Sequence, residues 1–148
     1  MKQQLTMILF GLSFFCLVTS CKQTKEAEPI DFGVDQCSYC KMTISNPNFG
    51  AELITDKGRV LKYDATECMV NHLHEGEVKY QTLYAVPFNE PKQLKEVSEL
   101  LFLITPEIRS PMGANLSAYS DMNQLDKKYH KHLMSWEELL ARFNKVGL

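Results

Sequence analysis

The odd number of cysteines constrains this chain more than any other feature of its sequence. Of its five cysteines, Cys16 and Cys21 lie within or directly after an apolar N-terminal run, which leaves Cys37, Cys40 and Cys68 for the folded part. In an exported protein, an odd number of cysteines leaves at least one thiol without an intramolecular partner. Such a thiol is subject to oxidation outside the cytoplasm. The fold must therefore either bury the unpaired thiol or place it where something holds it.

The N-terminal segment has the layout of a secretory signal peptide. A positively charged start precedes an apolar run at residues 5–18, and this run is too short to span a bilayer comfortably. A small residue directly before Cys21 resembles the lipobox of bacterial lipoproteins, in which the cysteine is diacylated; the alternative is an ordinary signal peptide with an incidental cysteine. We predict a signal peptide at residues 1–20, lipidation of Cys21 and a polar lipid-anchored linker at residues 21–30. The domain at residues 31–148 would then stand outside the cytoplasm, anchored to a membrane of the cell envelope.

Composition and charge say little about partners. The formal net charge of the whole chain is −2, so nothing indicates a nucleic-acid partner. The lysine-rich stretch at residues 127–131 is most often a solvated face, and a docking patch for an acidic partner is the alternative.

The pattern between residues 37 and 88 predicts a β-β-α-β unit. Asp64 is a good helix N-cap residue, and Glu67 follows it at the spacing of a capping box. Gly76 is expected to end the helix. The expected elements are strands at 49–55 and 59–63 joined by a glycine-containing turn, a helix at 65–74, and a strand at 78–86.

A similar pattern recurs between residues 100 and 148. Ser135 and Glu138 again have the spacing of a capping box. His130 and His132 would share one face of a strand. The expected elements are a short helix at 91–101, strands at 101–105, 117–120 and 130–134, and a helix at 136–145. We predict an α+β fold of two ββαβ-type modules related by a pseudo-repeat.

Two thiols and a thioether lie close together in the sequence CSYCKM, which begins at Cys37. A disulfide between Cys37 and Cys40 would close a small loop and add little stability. A thioredoxin-type redox pair would open a helix, whereas the residues after Cys40 favour extended backbone. A zinc site would take Cys37 and Cys40 together with Cys68 and His72. None of these three interpretations uses Met42.

Methionine is the residue that favours copper(I). Soft thiolate and thioether donors select monovalent copper over harder divalent ions. In an extended segment, the side chains of Cys40 and Met42 would point to the same side. Met112, in the sequence SPMG, is a further candidate donor; a buried methionine that fills a gap in the core is the alternative.

Several motifs, taken together in their order along the chain, resemble the NosL family of copper-binding lipoproteins. They are the lipobox, Cys40-Lys41-Met42, the Tyr63-Asp64 pair that opens a helix, and the sequence SPMGA at residues 110–114 followed by a tryptophan-containing helix. The resemblance implies a duplicated ββαβ fold and copper(I) binding in the periplasm, without catalysis. It also implies delivery of copper to the copper centres of nitrous-oxide reductase, in denitrification, together with a membrane transporter complex.

The resemblance also implies which residues hold the metal. Cys40 and Met42 match the family motif best, and Met112 comes next. Many members have Cys-Gly-Met. This chain has a CxxC motif instead, so Cys37 is an additional donor. Cys68 is either a third thiol near the metal or a core cysteine, and we favour the core interpretation. A thiol–disulfide oxidoreductase and a structural zinc domain, both using Cys37 and Cys40, are the alternatives to a copper(I) chaperone.

Overall fold

The structure is a computed structural model that describes residues 26–76 and 78–146. The predicted signal peptide, Cys21 and the first part of the predicted linker lie outside the described residues. Among the residues described, none of the helices has both the length and the apolar character that a membrane span requires. The elements are β1 (Ala51–Thr55), β2 (Val60–Tyr63), α1 (Thr66–His74), β3 (Tyr80–Ala85), β4 (Lys95–Glu96), β5 (Leu101–Ile104), β6 (Leu116–Tyr119) and α2 (Trp136–Val146), with short 3-10 helices at Val97–Glu99, Met122–Gln124 and Lys127–His132.

Two antiparallel sheets and two helices make up an α+β fold, as predicted. The larger sheet has the strand order β2-β1-β3-β4, and β5 pairs with β6 in a second sheet. In the central strand β1, Leu53 is paired with Leu61 of β2 on one side and with Leu83 of β3 on the other. These three leucines are all buried, and as directly opposite cross-strand partners they lie on the same face of the sheet. Whether the two halves are related by a pseudo-repeat stays a prediction.

The β-β-α-β order of the first half is confirmed, but its predicted helix cap is wrong. Ala65 occupies the N-cap position of α1, and no side chain makes the capping hydrogen bond. The buried carboxylate of Asp64 instead accepts a hydrogen bond from the backbone N–H of Ser45, at 3.2 Å. The end of the helix is as predicted: Gly76 follows it with a φ of +73°, a conformation that glycine adopts without strain.

The helix predicted at residues 91–101 is not present. This stretch contains an irregular segment, the short strand β4 and one 3-10 turn. Lys92 has a φ of +68°, and a left-handed residue cannot be part of a right-handed helix. The ion pair between Lys95 and Glu90, at 2.6 Å, is formed in this non-helical arrangement.

The strand predicted at residues 130–134 is also wrong. The segment Lys127–His132 forms a 3-10 helix, and its N-cap residue Asp126 accepts a hydrogen bond from the backbone N–H of Lys128. Only Met134 makes a strand-like bridge, to Phe102 of β5. His130 and His132 therefore do not lie on the shared strand face that the sequence predicted.

Helix α2 begins with the predicted capping box. The backbone N–H of Glu138 donates to the hydroxyl of Ser135, and the backbone N–H of Ser135 donates to the Glu138 carboxylate. Trp136, Leu139 and Phe143 are buried on one face of the helix. The Trp136 ring lies 5.5 Å from the ring of Phe102 in β5, so α2 covers the second sheet.

The packed domain reaches into the segment that precedes residue 31. Ile30 is buried in the core, and the backbone N–H of Glu28 donates to the carboxylate of Glu52 on β1. A Cβ atom on Gly50 would come within 2.7 Å of the Ile30 side chain. This close approach packs the N-terminal segment against β1, next to the loop that carries Cys37 and Cys40.

Candidate metal centre

The loop that carries the CxxC motif is a closed hairpin. The flanking residues Gln36 and Thr43 form an antiparallel bridge. Inside it, the backbone N–H of Cys37 donates to the carbonyl of Met42 at 2.8 Å, and the N–H of Lys41 donates to the carbonyl of Cys37 at 3.1 Å. These hydrogen bonds pair backbone N–H and carbonyl groups within the loop. The thiols of Cys37 and Cys40 are therefore not needed to hold the loop in its conformation.

Lys41 turns this hairpin through a left-handed backbone conformation. Its φ is +65°, a region that residues with a Cβ atom disfavour. The prediction that Cys40 and Met42 point to the same side assumed an extended segment between them. Because Lys41 is left-handed, the segment is not extended, and the argument that Cys40 and Met42 point to the same side no longer applies. The case for Met42 as a ligand then depends on its thioether and on its position beside the cysteines.

The third cysteine comes from α1. Cys68 lies in the first turn of the helix and is fully buried, and Cys37 is 1% exposed. A hydrogen bond from the Ser38 N–H to the Lys62 carbonyl, at 2.7 Å, fixes the cysteine loop to β2, the strand that leads to the helix. The long-range packing therefore brings the thiols of two separate elements together.

The Sγ atoms of Cys37, Cys40 and Cys68 all lie within 4.8 Å of one another. With metal–sulfur bonds of about 2.3 Å, three sulfurs around one ion in a plane stand about 4 Å apart. Side-chain adjustments of less than about 1 Å would close the set around a metal ion. Cys68 thus lies both in the core, as we favoured, and in the thiol cluster.

Hydrogen bonds concentrate negative charge at one of the three sulfurs. A hydrogen bond from the Cys68 thiol lowers the pKa of Cys37 to about 4, and burial opposes it. The same sulfur accepts hydrogen bonds from three backbone N–H groups, those of Asp64, Cys40 and Tyr39. A thiolate at Cys37 is therefore solvated by the protein rather than by water.

The other two thiols resist ionisation. The hydrogen bond with Cys37 raises the pKa of Cys68, and burial adds to it. Burial also raises the pKa of Cys40, although the backbone N–H of Met42 donates to its sulfur and lowers it. A bound cation would remove the repulsion among the three sulfurs and release their protons, as metal binding to thiols does.

His72 lies beside this cluster rather than within the group of three cysteines. Its Nδ1 atom forms a hydrogen bond of 2.9 Å with the hydroxyl of Tyr63, which is fully buried. Burial first, and then the nearby Cys37 and Cys68, raise the pKa of Tyr63. The zinc interpretation needs His72 as its fourth ligand, and the structure instead engages one of its ring nitrogens with a tyrosine.

Glu67 connects the cluster to the segment that carries Met112. Its carboxylate is 1% exposed, and Oε1 accepts hydrogen bonds from the Ser110 hydroxyl at 2.5 Å and from the Met112 N–H at 3.1 Å. Burial raises the pKa of Glu67 against these hydrogen bonds. Since Glu67 directly precedes Cys68, the methionine segment is held against the first turn of α1. The sequence offered no signal for this contact, because it joins residues far apart in the chain.

The two candidate methionines both lie at the surface. Met42 is 60% exposed and Met112 is 41% exposed, so Met112 is not a buried side chain that fills a core gap. Their thioethers are accessible to an ion or to a partner protein. Their roles as ligands stay predictions.

Comparison with known proteins shows a similarity to a solved structure. No family model matches the chain, and no curated protein matches it. The crystal structure of the copper chaperone NosL from Shewanella denitrificans is similar, with a TM-score of 0.66 over 77% of this chain and 95% of that chain, at 19% sequence identity. At this identity the likeness concerns the fold. The resemblance inferred from the motifs is confirmed at that level: the chain folds like the copper chaperone NosL.

Proposed function

We propose that this protein is a copper(I) chaperone that binds the ion through its three clustered cysteines. The observation that carries the proposal is the convergence of the Sγ atoms of Cys37, Cys40 and Cys68 within 4.8 Å, from two separate elements. Thiolates are soft ligands that select copper(I). The fold shared with a copper chaperone supports the same choice.

The donor set suits a site that releases its ion. A structural zinc site is closed by four protein ligands, whereas the group found among the described residues has three. A copper(I) ion held by three sulfurs would lack a fourth protein ligand, so a position stays open for a ligand of the acceptor protein. Cys40 is only half-buried and Met42 is exposed, so an incoming ligand would attack from their side. The ion then passes through a shared-ligand intermediate without being free.

The delivery route is part of the same proposal. The acceptor we propose is nitrous-oxide reductase, reached with the help of its associated membrane transporter complex. A lipid on Cys21 would hold the domain at a membrane of the cell envelope, outside the cytoplasm. The motif resemblance to the NosL family and the shared fold support this assignment.

The positions of the thiols argue against a thiol–disulfide oxidoreductase. Such an enzyme needs an accessible thiol of low pKa. Here the pKa is lowered at Cys37, which is 1% exposed. Cys40, which a substrate disulfide can reach, has a raised pKa. The reactive sulfur and the reachable sulfur are therefore different atoms, and we favour binding over catalysis.

Copper(I) titration of the anaerobically reduced full-length chain tests the proposal. We expect the chain to compete with a chromophoric copper(I) chelator for about one ion, and Cys37→Ser, Cys40→Ser and Cys68→Ser each to weaken binding strongly, because each removes one of three thiolates. Circular dichroism of each variant checks that it folds. Undiminished binding in all three variants would contradict the proposal.

The two methionines are tested separately from the cysteines. Met42→Leu and Met112→Leu should weaken copper(I) binding if their thioethers contribute, since leucine keeps the size but loses the donor. Met122→Leu is the matched control, because Met122 is likewise exposed, at 44%, and lies in the 3-10 helix Met122–Gln124, which carries none of the candidate ligands. X-ray absorption then shows whether sulfur alone surrounds the ion. A chain that binds zinc but not copper(I) would support the structural zinc domain instead.

A further inference from the structure

An open cleft of about 730 Å³ lies beside the cysteine loop. Its walls come from that loop, the β1–β2 turn, one side of α1 and the segment that enters β3. Four of its lining residues are cationic and one is a carboxylate: they are Lys41, Lys57, Arg59 and Lys79, and Asp56. The cleft is therefore strongly positive, although the chain as a whole has a formal net charge of −2.

The positive charge of the cleft is not neutralised within the described part of the chain. Among residues 26–76 and 78–146, none of the four cationic side chains pairs with a carboxylate. Lysines elsewhere do pair: Lys62 with Asp35 at 2.7 Å, and Lys95 with Glu90 at 2.6 Å. Like charges lining one concave surface repel one another and raise the potential inside it. An anionic occupant would relieve that repulsion.

The lysine-rich stretch at residues 127–131 is a weaker candidate for a docking surface. Lys128 already pairs with Glu107 at 3.2 Å, and Tyr129 donates to the same carboxylate. Part of its charge is thus balanced locally. In the described part of the chain, no carboxylate balances any of the four cationic groups of the cleft, although Lys41 donates a hydrogen bond to the Ser38 carbonyl.

The cleft lies directly next to the thiols. Ser38 and Lys41, which line it, belong to the loop that carries Cys37 and Cys40. His72 also lines the cleft, and it follows Cys68 by one helical turn on α1. Anything that occupies the cleft is therefore brought beside the metal centre.

We propose that this cleft docks an acidic segment of the protein with which the copper ion is exchanged. The proposal rests on the proposed function, because the position beside the thiols matters only if an ion is transferred there. A recessed cleft accommodates a chain segment, whereas a flat lipid surface would meet only its rim. A small free anion would fill a fraction of it and would gain nothing from lying next to the thiols.

Charge complementarity should act mainly on the encounter between the two proteins. A positive recess attracts acidic segments and orients them before contact, which raises the association rate. At an ionic strength of 0.1 M this attraction extends about 10 Å and weakens further as salt is added. The dependence on salt is therefore part of the proposal.

Peptide binding to the copper-free full-length chain tests the cleft by itself. The probe is a fluorescein-labelled glutamate-rich peptide, compared with the same peptide carrying glutamine in place of glutamate. We expect the acidic peptide to bind at least about tenfold more tightly at low salt, with the difference lost at high salt. Equal binding of the two peptides would overturn the proposal.

Charge reversal locates the binding surface. The variant Lys57→Glu/Arg59→Glu/Lys79→Glu should lose the preference for the acidic peptide. The control Lys127→Glu/Lys131→Glu/Arg142→Glu changes the net charge equally at exposed residues outside the cleft, and it should keep the preference. Equal loss in both variants would mean that overall charge governs binding, and the cleft would have no special role.

Two further probes separate other anionic occupants. Inorganic phosphate at millimolar concentration should not displace the acidic peptide, and vesicles with anionic lipid should not bind more tightly than the peptide does. Displacement by phosphate, or a preference for vesicles that the cleft variant alone loses, would overturn the assignment to a protein segment.

Copper transfer connects the cleft to the metal centre. Copper(I) should pass from the loaded chain to an acceptor peptide with a glutamate-rich tail faster than to the same peptide with a glutamine-rich tail, and the cleft variant should remove this difference. Because the cleft variant changes none of the cysteines, its copper stoichiometry should match that of the wild type. A wild-type chain that binds the acidic peptide but no copper(I) would contradict the proposed function, while the peptide result would still decide whether the cleft binds.

Discussion

At the scale of single residues, Lys41 shapes the loop that carries Cys37 and Cys40. Its left-handed backbone reverses the chain between Cys40 and Met42. The reversal directs the N–H of Met42 to the sulfur of Cys40, while the N–H groups of Tyr39 and Cys40 reach the sulfur of Cys37. A left-handed conformation at one residue therefore accompanies a loop in which backbone N–H groups approach the sulfurs of both Cys37 and Cys40.

Relieving this strain should stabilise the loop. Glycine adopts a positive φ freely, whereas a residue with a Cβ atom in the left-handed region loses about 1 kcal/mol. We expect Lys41→Gly to be about 1 kcal/mol more stable than Lys41→Ala, since both lack the charge and only alanine keeps the Cβ. Urea denaturation of the reduced chains measures the difference.

A second left-handed lysine provides the control. Lys92 has a φ of +68° and lies outside the metal centre, so Lys92→Gly should exceed Lys92→Ala in stability by a similar amount. Copper(I) binding should be unchanged in both Lys92 variants. Equal stability of Lys41→Gly and Lys41→Ala would show that Lys41 is not strained.

Glu67 is a buried charged residue whose loss should destabilise the chain. Its buried carboxylate accepts hydrogen bonds from the Ser110 hydroxyl and the Met112 N–H. Glu67→Ala would leave both donors without their acceptor, and we expect it to destabilise the chain by about 2–4 kcal/mol. Glu67→Gln keeps an acceptor oxygen and should cost clearly less. Thermal unfolding measures both, and equal costs would contradict the role given to these hydrogen bonds.

At the scale of elements, the two helices show what a local motif does and does not determine. Ser135 and Glu138 form the predicted capping box, because neither is buried and neither is engaged by a residue far away in the chain. Asp64 and Glu67 have the same spacing, but both are buried and bond to distant residues instead. The sequence shows the spacing equally in both cases, and only the tertiary packing distinguishes them.

The capping box of α2 should contribute measurably to stability. Ser135 accepts a hydrogen bond from the Glu138 N–H at 3.3 Å. We expect Ser135→Ala to cost about 1 kcal/mol and Ser135→Thr to cost less, because threonine keeps the hydroxyl acceptor. Guanidinium denaturation measures both variants. If threonine and alanine cost the same, the hydroxyl is not the stabilising group.

The metal centre was predictable only where its parts are close in sequence. Cys37 and Cys40 are visible as a CxxC motif, whose chemistry can be inferred without a structure. The position of Cys68 beside them depends on how the hairpin β1–β2 places α1, and no local pattern encodes this. The prediction of a strand around His130 failed for a related reason. The sequence alternates as in a strand, but the hydrogen bond from the Lys128 N–H to the Asp126 carboxylate favours a 3-10 turn.

At the scale of the whole molecule, the proposed site joins two segments that lie apart in the sequence. The cysteine loop precedes β1, and Cys68 follows β2, so an ion bound by all three sulfurs would cross-link the segments on either side of the hairpin. Such a cross-link exists only in the folded state. Copper(I) binding should therefore be linked to folding.

Copper(I) should raise the global stability of the chain. A ligand present at a hundred times its dissociation constant, and bound only by the folded state, adds about 2.7 kcal/mol to the free energy of unfolding. We expect anaerobic urea denaturation with buffered copper(I) to show this gain, and a chelator to reverse it. Cys68→Ser should gain much less, because the remaining thiols lie in a single loop. An equal gain in that variant would show that the loop alone holds the ion.

The distribution of the stabilisation should reveal the cross-link directly. Among amides that exchange with solvent through local opening, copper(I) should slow those of Cys40 and Met42 in the loop and that of Cys68 in α1. Amides of α2, which contributes none of the three cysteines of the proposed site, should keep their local exchange rates. Hydrogen exchange followed by NMR of the reduced chain, with and without copper(I), measures this contrast. Protection limited to the loop would mean that Cys68 is a core cysteine beside the site, whereas protection of both segments requires the ion to bridge them.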